Sequence, residues 1–324
     1  MKKTIIFYLL ILLMLLNKGL KAQVIDNVST IKNINSDKYF RFNYDNDYFT
    51  ATDEYYTQGI LLELIHPNLQ LNPFNKLLFK SKENSNKYGL RFDHYGYTAT
   101  SISTHAIRYG DRPFCGNLSL SSFVISVDSA KKQRISTTLT AGVMGSKAGG
   151  KEMQVTIHTW LKNIIPVGWE YQIANDLILN YQLNYEKELV NYKGLFLINS
   201  NSQLQFGTHD DKIKTGINFM LGRFNNPYLP INKSIKNKFN YHFYGQLLTG
   251  FTAYDATLQG GLFNRNSPYT IAAKDITRFT LQGDFGVSLN FKKLYLEYTQ
   301  SFISKEFKTG YLHRYGGVRI GVGF

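Results

Sequence analysis

Two short stretches near the start of the chain hold its densest group of residues able to do chemistry. Tyr44-Asp45-Asn46-Asp47 is followed closely by Thr52-Asp53-Glu54-Tyr55-Tyr56-Thr57-Gln58-Gly59. Carboxylates, an amide and a turn backed by glycine offer hard oxygen donors, and hard donors suit calcium. The spacing is not that of an EF-hand loop. On these residues alone two readings stand: a calcium site, or a solvated acidic loop between two strands. No stronger motif competes, since the chain has no G-x-S-x-G, H-E-x-x-H, P-loop or Cys/His zinc spacing. Its seven histidines are scattered. A lone histidine is more often a surface or packing residue than a catalyst.

His158 is set apart by its surroundings. Over 151–164, Met153, Ile157, Trp160, Leu161 and Ile164 recur at steps of three and four. This predicts a helix with one apolar face, His158 lying beside that face. Gly149-Gly150 before it and Pro166 after it are suitable punctuation. Elsewhere the period is two, the strand signal. Over 39–47, Phe40, Phe42 and Tyr44 alternate with Arg41, Asn43 and Asp45; over 59–66, Ile60, Leu62 and Leu64 alternate with Gly59 and Glu63. The same holds at 87–94, 177–185, 280–291 and 293–303. The last stretch, Val318-x-Ile320-x-Val322-x-Phe324, ends on an aromatic residue and resembles the terminal strand of outer-membrane barrels. An inserted helix in such a chain must sit in an extramembrane loop or pack on the barrel.

The composition points the same way. The chain carries 23 Tyr, 23 Phe and 26 Gly, yet its mean hydropathy is −0.25. Strands that alternate lipid-facing and polar residues produce that combination. Residues 1–22 read as a secretory signal: Lys2 and Lys3, an apolar run from Ile5 to Leu16, and a small-residue exit at Ala22. That run is too short to span the ~30 Å hydrocarbon core as a helix, and no later stretch is long enough. The predicted fold is all-β: a transmembrane antiparallel β-barrel over 23–324, of even strand number and best counted as twelve. The single cysteine, Cys115, allows no internal disulfide and reads as an inert small residue. The net charge is +14, and the four leader lysines account for part of it, leaving +10. An exported basic chain suggests anionic lipid or lipopolysaccharide phosphate as partner, not nucleic acid.

Five short motifs in order extend this reading. They are Asn46-Asp47, Tyr56-Thr57-Gln58-Gly59, Gly110-Asp111-Arg112-Pro113-Phe114, Ala148-Gly149-Gly150-Lys151-Glu152 with His158 behind it, and Phe307-Lys308-Thr309-Gly310. In their order and intervals the chain resembles the LpxR-type lipid A 3'-O-deacylases, calcium-dependent outer-membrane esterases. The resemblance implies a twelve-stranded barrel in the outer membrane of a Gram-negative bacterium. It implies an active site facing the outer leaflet, between barrel wall and loop helix, that acts on lipid A of lipopolysaccharide. Position by position, His158 matches the general base. Asn46 and Asp47 match the active-site pair, and Thr57 the active-site hydroxyl. Asp47 is the implied Ca2+ ligand, with backbone oxygens near Thr57 and Gly59 beside it. The family's type member carries a lysine in the loop after its third strand, and Tyr97–Thr104 holds none. Arg108 or Arg112 is the expected phosphate contact in its place, since guanidinium binds phosphate bidentately; the alternative for Asp111-Arg112 is a loop salt bridge. A monomer is expected. An outer-membrane phospholipase, an inactive structural barrel or a channel are the competing readings.

Overall fold

A computed structural model of the chain describes residues 27–50, 55–81, 85–229 and 239–324. The signal expected over 1–22 lies outside them. Twelve strands form one closed antiparallel barrel. They are β1 (Tyr39–Asn46), β2 (Tyr56–Ile65), β3 (Ser85–Tyr97), β4 (Cys115–Asp128), β5 (Gln133–Met144), β6 (Asp176–Tyr192), β7 (Phe196–Gly207), β8 (Asp210–Arg223), β9 (Phe239–Asp255), β10 (Phe279–Phe291), β11 (Leu294–Ile303) and β12 (His313–Gly323). The ring closes where β1 lies against β12, from Tyr39 opposite Gly323 to Asn46 opposite Gly316. No helix among the described residues is long and apolar enough to cross a membrane.

The period-two pattern resolves into two walls. Phe40, Leu120, Leu177, Leu179, Ile213 and Val322 are exposed on the outside, while Arg41, Glu63, Asn199, Asp284 and Arg319 are buried within. An apolar exterior over a polar interior is what a barrel in lipid requires. The two ends differ. At one, most strands are joined by short turns such as 129–132, 193–195 and 292–293; at the other lie the long connections 98–114, 145–175 and 256–278. In barrels of this kind the short turns are periplasmic and the long loops extracellular.

The lumen is not left open. Residues 27–34, ahead of β1, run into it, and Ile31 and Thr30 are completely buried there. Glu186 of β6 accepts hydrogen bonds from the Thr30 backbone N–H at 2.8 Å, its hydroxyl at 2.6 Å and Ser29 at 3.0 Å. Arg41 donates to the carbonyls of Lys32 and Asn27, both at 3.0 Å, and pairs with Glu63 at 2.6 Å. His242 donates from Nε2 to the Ile31 carbonyl at 3.0 Å. Arg319 pairs with Asp45 at 2.9 Å. Charges taken out of water persist only when paired and hydrogen-bonded in this way. Arg41, Arg134, Lys212 and Arg319 are held inside, each facing a carboxylate; these pairs cancel, so the basic excess lies in other residues.

The helix is shorter than its pattern predicts. It runs from Gly150 to Leu161 (α1), because Lys162 takes a left-handed conformation (φ 55°) that stops it. Its apolar stripe also faces the opposite way from a core-packing helix. Trp160, at 81% exposure, Leu161 and Ile164 point outward, and Gln154 is the side chain that the barrel buries.

Removing the carboxylate that holds the inserted segment should loosen it. Glu186→Ala is expected to cost about 3–5 kcal/mol and to give open events in planar-bilayer recordings that the parent barrel lacks. A variant with parental melting temperature and no new conductance would show that Glu186 does not hold the segment.

Candidate functional site

The residues singled out around β1 and β2 meet on the outer face of the wall. Asn46 ends β1 on the same side as Phe40, Phe42 and Tyr44. Beyond it, Asp47–Thr50 forms a single 3-10 turn. This turn folds back over the outside of β12, where Gly316 makes room: a Cβ there would lie 2.7 Å from Phe49. Phe49 then packs edge-on against Tyr44 and Tyr298, both outward-facing. Asn46 staples the turn to β2. Its Nδ2 donates to the Thr57 carbonyl at 2.7 Å and its Oδ1 accepts from the Tyr48 N–H at 2.7 Å. The second Nδ2 hydrogen has only a longer contact, 3.3 Å to the Tyr44 hydroxyl. Asp47 is buried at the foot of the turn.

Thr57 owes its position to a bulge. The register of β2 against β3 slips between Tyr56 and Gln58, so Thr57 is the extra residue. Bulges re-aim a side chain out of the regular alternation, and here the Thr57 hydroxyl turns to α1. Gln154 donates from Nε2 to Thr57 Oγ1 at 2.6 Å, and Trp169 Nε1 donates to Gln154 Oε1 at 2.6 Å. Helix and wall touch through glycine. A Cβ on Gly116 of β4 would lie 3.1 Å from the Gly150 nitrogen, and one on Gly150 would lie 2.8 Å from Trp169. Backbone meets backbone at the start of α1, and Gln154 and Trp169 fix its rotation.

One turn beyond Gln154, on the same helical face, is His158. The left-handed turn at Lys162 brings the chain back so that the Ile164 carbonyl stands 2.6 Å from His158 Nδ1. A carbonyl can only accept, so Nδ1 carries the hydrogen. In the neutral ring the lone pair is then on Nε2. The ring is half-buried.

Asn46, Thr57 and α1 with His158 are therefore linked into one outward-facing arrangement, with Asp47 in the turn beside Asn46. Gln154 and Trp169 were not singled out from the sequence. Gln154 had a legible signal, standing four residues before His158 on the same helical stripe. Gly59 lies within the ladder, opposite Asp45 and Tyr95, its missing side chain on the lumen side where Tyr56 packs. Only its backbone could serve a metal. Among the described residues no three His, Cys, Asp or Glu side chains group together as a metal cluster. The oxygens at hand are the Asp47 carboxylate, the Thr57 hydroxyl and carbonyl and the Asn46 amide. That all-oxygen set fits a hard cation such as calcium and would suit a soft one poorly.

The two arginines lie elsewhere. Arg112 is buried at the loop end of the lumen. It is paired with Glu306, bonded to the Thr257 hydroxyl at 2.8 Å and stacked 3.8 Å from the Tyr97 ring centroid. Burial alone would lower its pKa, but Glu306 holds it above the ordinary guanidinium value. This placement does not support the expected phosphate contact, and its acid is Glu306 and not Asp111. Asp111 is bonded to Arg108 at 3.0 Å and to the Thr100 hydroxyl at 2.6 Å. Arg108, with 44% of its side chain exposed, remains the accessible cation of that loop. Gly110 and Thr309 join two further motifs at 2.6 Å, so these two knit the loops together. Cys115 is buried.

Among solved structures, LpxR from Salmonella typhimurium superposes with a TM-score of 0.69 at 17% identity, covering 88% of this chain and 100% of its own. The β domain of the Bordetella autotransporter BrkA gives 0.46 at 7% identity over 89% and 100%. An outer membrane channel from Pseudomonas putida F1 gives 0.46 at 9% over 93% and 100%. No curated protein matches the chain. The family model described as outer membrane protein LpxR matches residues 7–324, and the chain belongs to that family of outer-membrane β-barrels.

Proposed function

We propose that this barrel is a calcium-dependent ester hydrolase that removes an acyl chain, the 3'-acyloxyacyl group, from lipid A in the outer leaflet. The observation that carries the proposal is the state of His158. Its Nδ1 is tied to the Ile164 carbonyl, Nε2 is left as the base, and Gln154 clamps its helix to the lipid-facing wall beside Asn46 and Thr57. A base held on the outside of a barrel serves a substrate that arrives in the membrane plane. Residues 27–34, hydrogen-bonded across the lumen to Glu186, Arg41 and His242, argue against an open channel.

The chemistry follows from these groups. His158 Nε2 takes a proton from water as the water oxygen bonds to the ester carbonyl carbon. The free Asn46 N–H, released from its long contact with Tyr44, donates to the carbonyl oxygen as negative charge develops there. Collapse breaks the bond to the sugar oxygen, and His158 returns its proton to that leaving oxygen. No serine nucleophile or covalent intermediate is needed. Calcium, held by Asp47 with oxygens of Thr57, supplies Lewis-acid polarisation of the carbonyl when bound. Arg108 is the exposed cation available to a lipid A phosphate.

His158→Ala should lower deacylation by about 10²-fold or more in a protein that remains folded. Gln154→Ala removes no reacting group and should cost about tenfold through lost positioning, with barrel stability largely kept. Equal losses in the two variants would count against His158 as the base.

The decisive experiment is mass spectrometry of lipid A from membranes carrying the barrel, with calcium and with chelator. Loss of one acyl unit only with calcium and only with His158 intact is the expected result. Unchanged lipid A in both conditions overturns the reading; fatty acid released from phospholipid instead would identify a phospholipase, and none from either an inactive barrel.

A further inference from the structure

Residues 66–81, which follow β2, do not leave the barrel for the periplasm. They climb the outside of the wall. On β4 the outward positions read Leu118, Leu120, Ser122, Val124 toward the turn end. Leu120 is 62% exposed, but Ser122 falls to 7% and Val124 to 0%, because this segment covers them. Asn72 donates to the Ser122 hydroxyl at 3.1 Å, and that hydroxyl donates to Asn75 at 3.2 Å. Thr137 of β5 donates to the Phe79 carbonyl at 2.8 Å. Tyr181 of β6 donates to the Leu77 carbonyl at 3.3 Å and accepts from the Phe79 N–H at 2.9 Å. Leu78 packs between Tyr88 and Val124. Polar residues thus interrupt the lipid-facing stripe where this segment lies on it.

The opposite side of the segment is apolar and bare. Leu71 is 86% exposed and Leu77 64%, with Phe74 and Phe79 close behind. Irregular backbone survives at membrane depth only when its polar groups are satisfied within the protein, and several of this segment's find such partners. Two Pro-initiated 3-10 turns, Pro67–Leu71 and Pro73–Lys76, bond internally, with His66 and Asn72 capping them. Asn75 donates to the Leu69 carbonyl at 2.7 Å. Residues 66–81 contain Lys76 and Lys80 and no acidic residue, a balance suited to anionic head groups.

We propose that this segment is a strap embedded in the periplasmic leaflet, its Leu71, Phe74, Leu77 and Phe79 covered by phospholipid acyl chains. It continues the apolar belt of the barrel with a surface not made of strands. The test uses nitroxide labels on Phe74→Cys and Leu77→Cys in the full barrel in phosphatidylethanolamine–phosphatidylglycerol vesicles; buried Cys115 stays unlabelled. Leu120→Cys reports the bare wall and Lys131→Cys a turn in water. Both strap labels should collide with oxygen as the Leu120 label does, and with a water-soluble nickel chelate several-fold less than the Lys131 label. Nickel contact equal to that at Lys131 would place the strap in water. Low contact with both reagents would mean protein covers it, such as a second copy. Either outcome overturns the proposal.

Discussion

Backbone N–H and C=O groups at membrane depth have no water to turn to, so each must find a partner within the protein. In this chain that requirement converges on one seam, the pairing of β1 with β12. The other eleven strand pairs all join neighbours along the chain; only the seam joins the two ends of the sheet. It brings Asn46 opposite Gly316, and the turn after Asn46 can lie over β12 only because that seam exists. The site therefore inherits its first half from ring closure. It inherits its second half from β3 and β4, onto which α1 is pressed through Gly116 and Gly150.

Hydrogen bonds of ordinary strength hold the helix, and their arrangement makes them specific. Trp169, Gln154 and Thr57 form a relay in which each donor has one good acceptor. Losing the middle residue strands both ends, and a buried donor left unmade costs about 1–3 kcal/mol. The apolar side of α1 is left to the exterior. Trp160 at a membrane surface is at home, since indole favours the interfacial level.

Much of the architecture was legible in the residues. Alternation at 39–47 or 177–185 shows two faces, and the aliphatic one had to meet lipid. The site was partly legible: Asn46 shares parity with Phe40 and Phe42, and His158 stands on the one segment with helical spacing. What could not be read was set by contacts between segments far apart. The same apolar stripe on 151–164 suits a helix packing inward or one facing lipid. Nothing local in Lys162 announces a left-handed turn. Arg112 resembled a phosphate ligand until Glu306, 194 residues away, was found beside it. Ser122 and Thr137 look like flaws in a lipid-facing pattern, and only the strap over them explains why they are tolerated.

The segment inside the lumen carries a consequence for the order of events during folding. Besides β1 and β5, its partners lie on β6, β8, β9 and β11: Glu186 for Thr30, Asn218 for Ser29, His242 for Ile31 and Glu297 for Lys32. Some of these contacts span 156 and 211 residues of chain, and contacts of long separation form late. Those four strands share one interior only after the cylinder is complete. Residues 27–34 can therefore reach all of these partners only when the strands that carry them stand around one interior. The wall is the precondition and the seal depends on it: a segment that bonds to strands around the ring can close the lumen only of a finished cylinder.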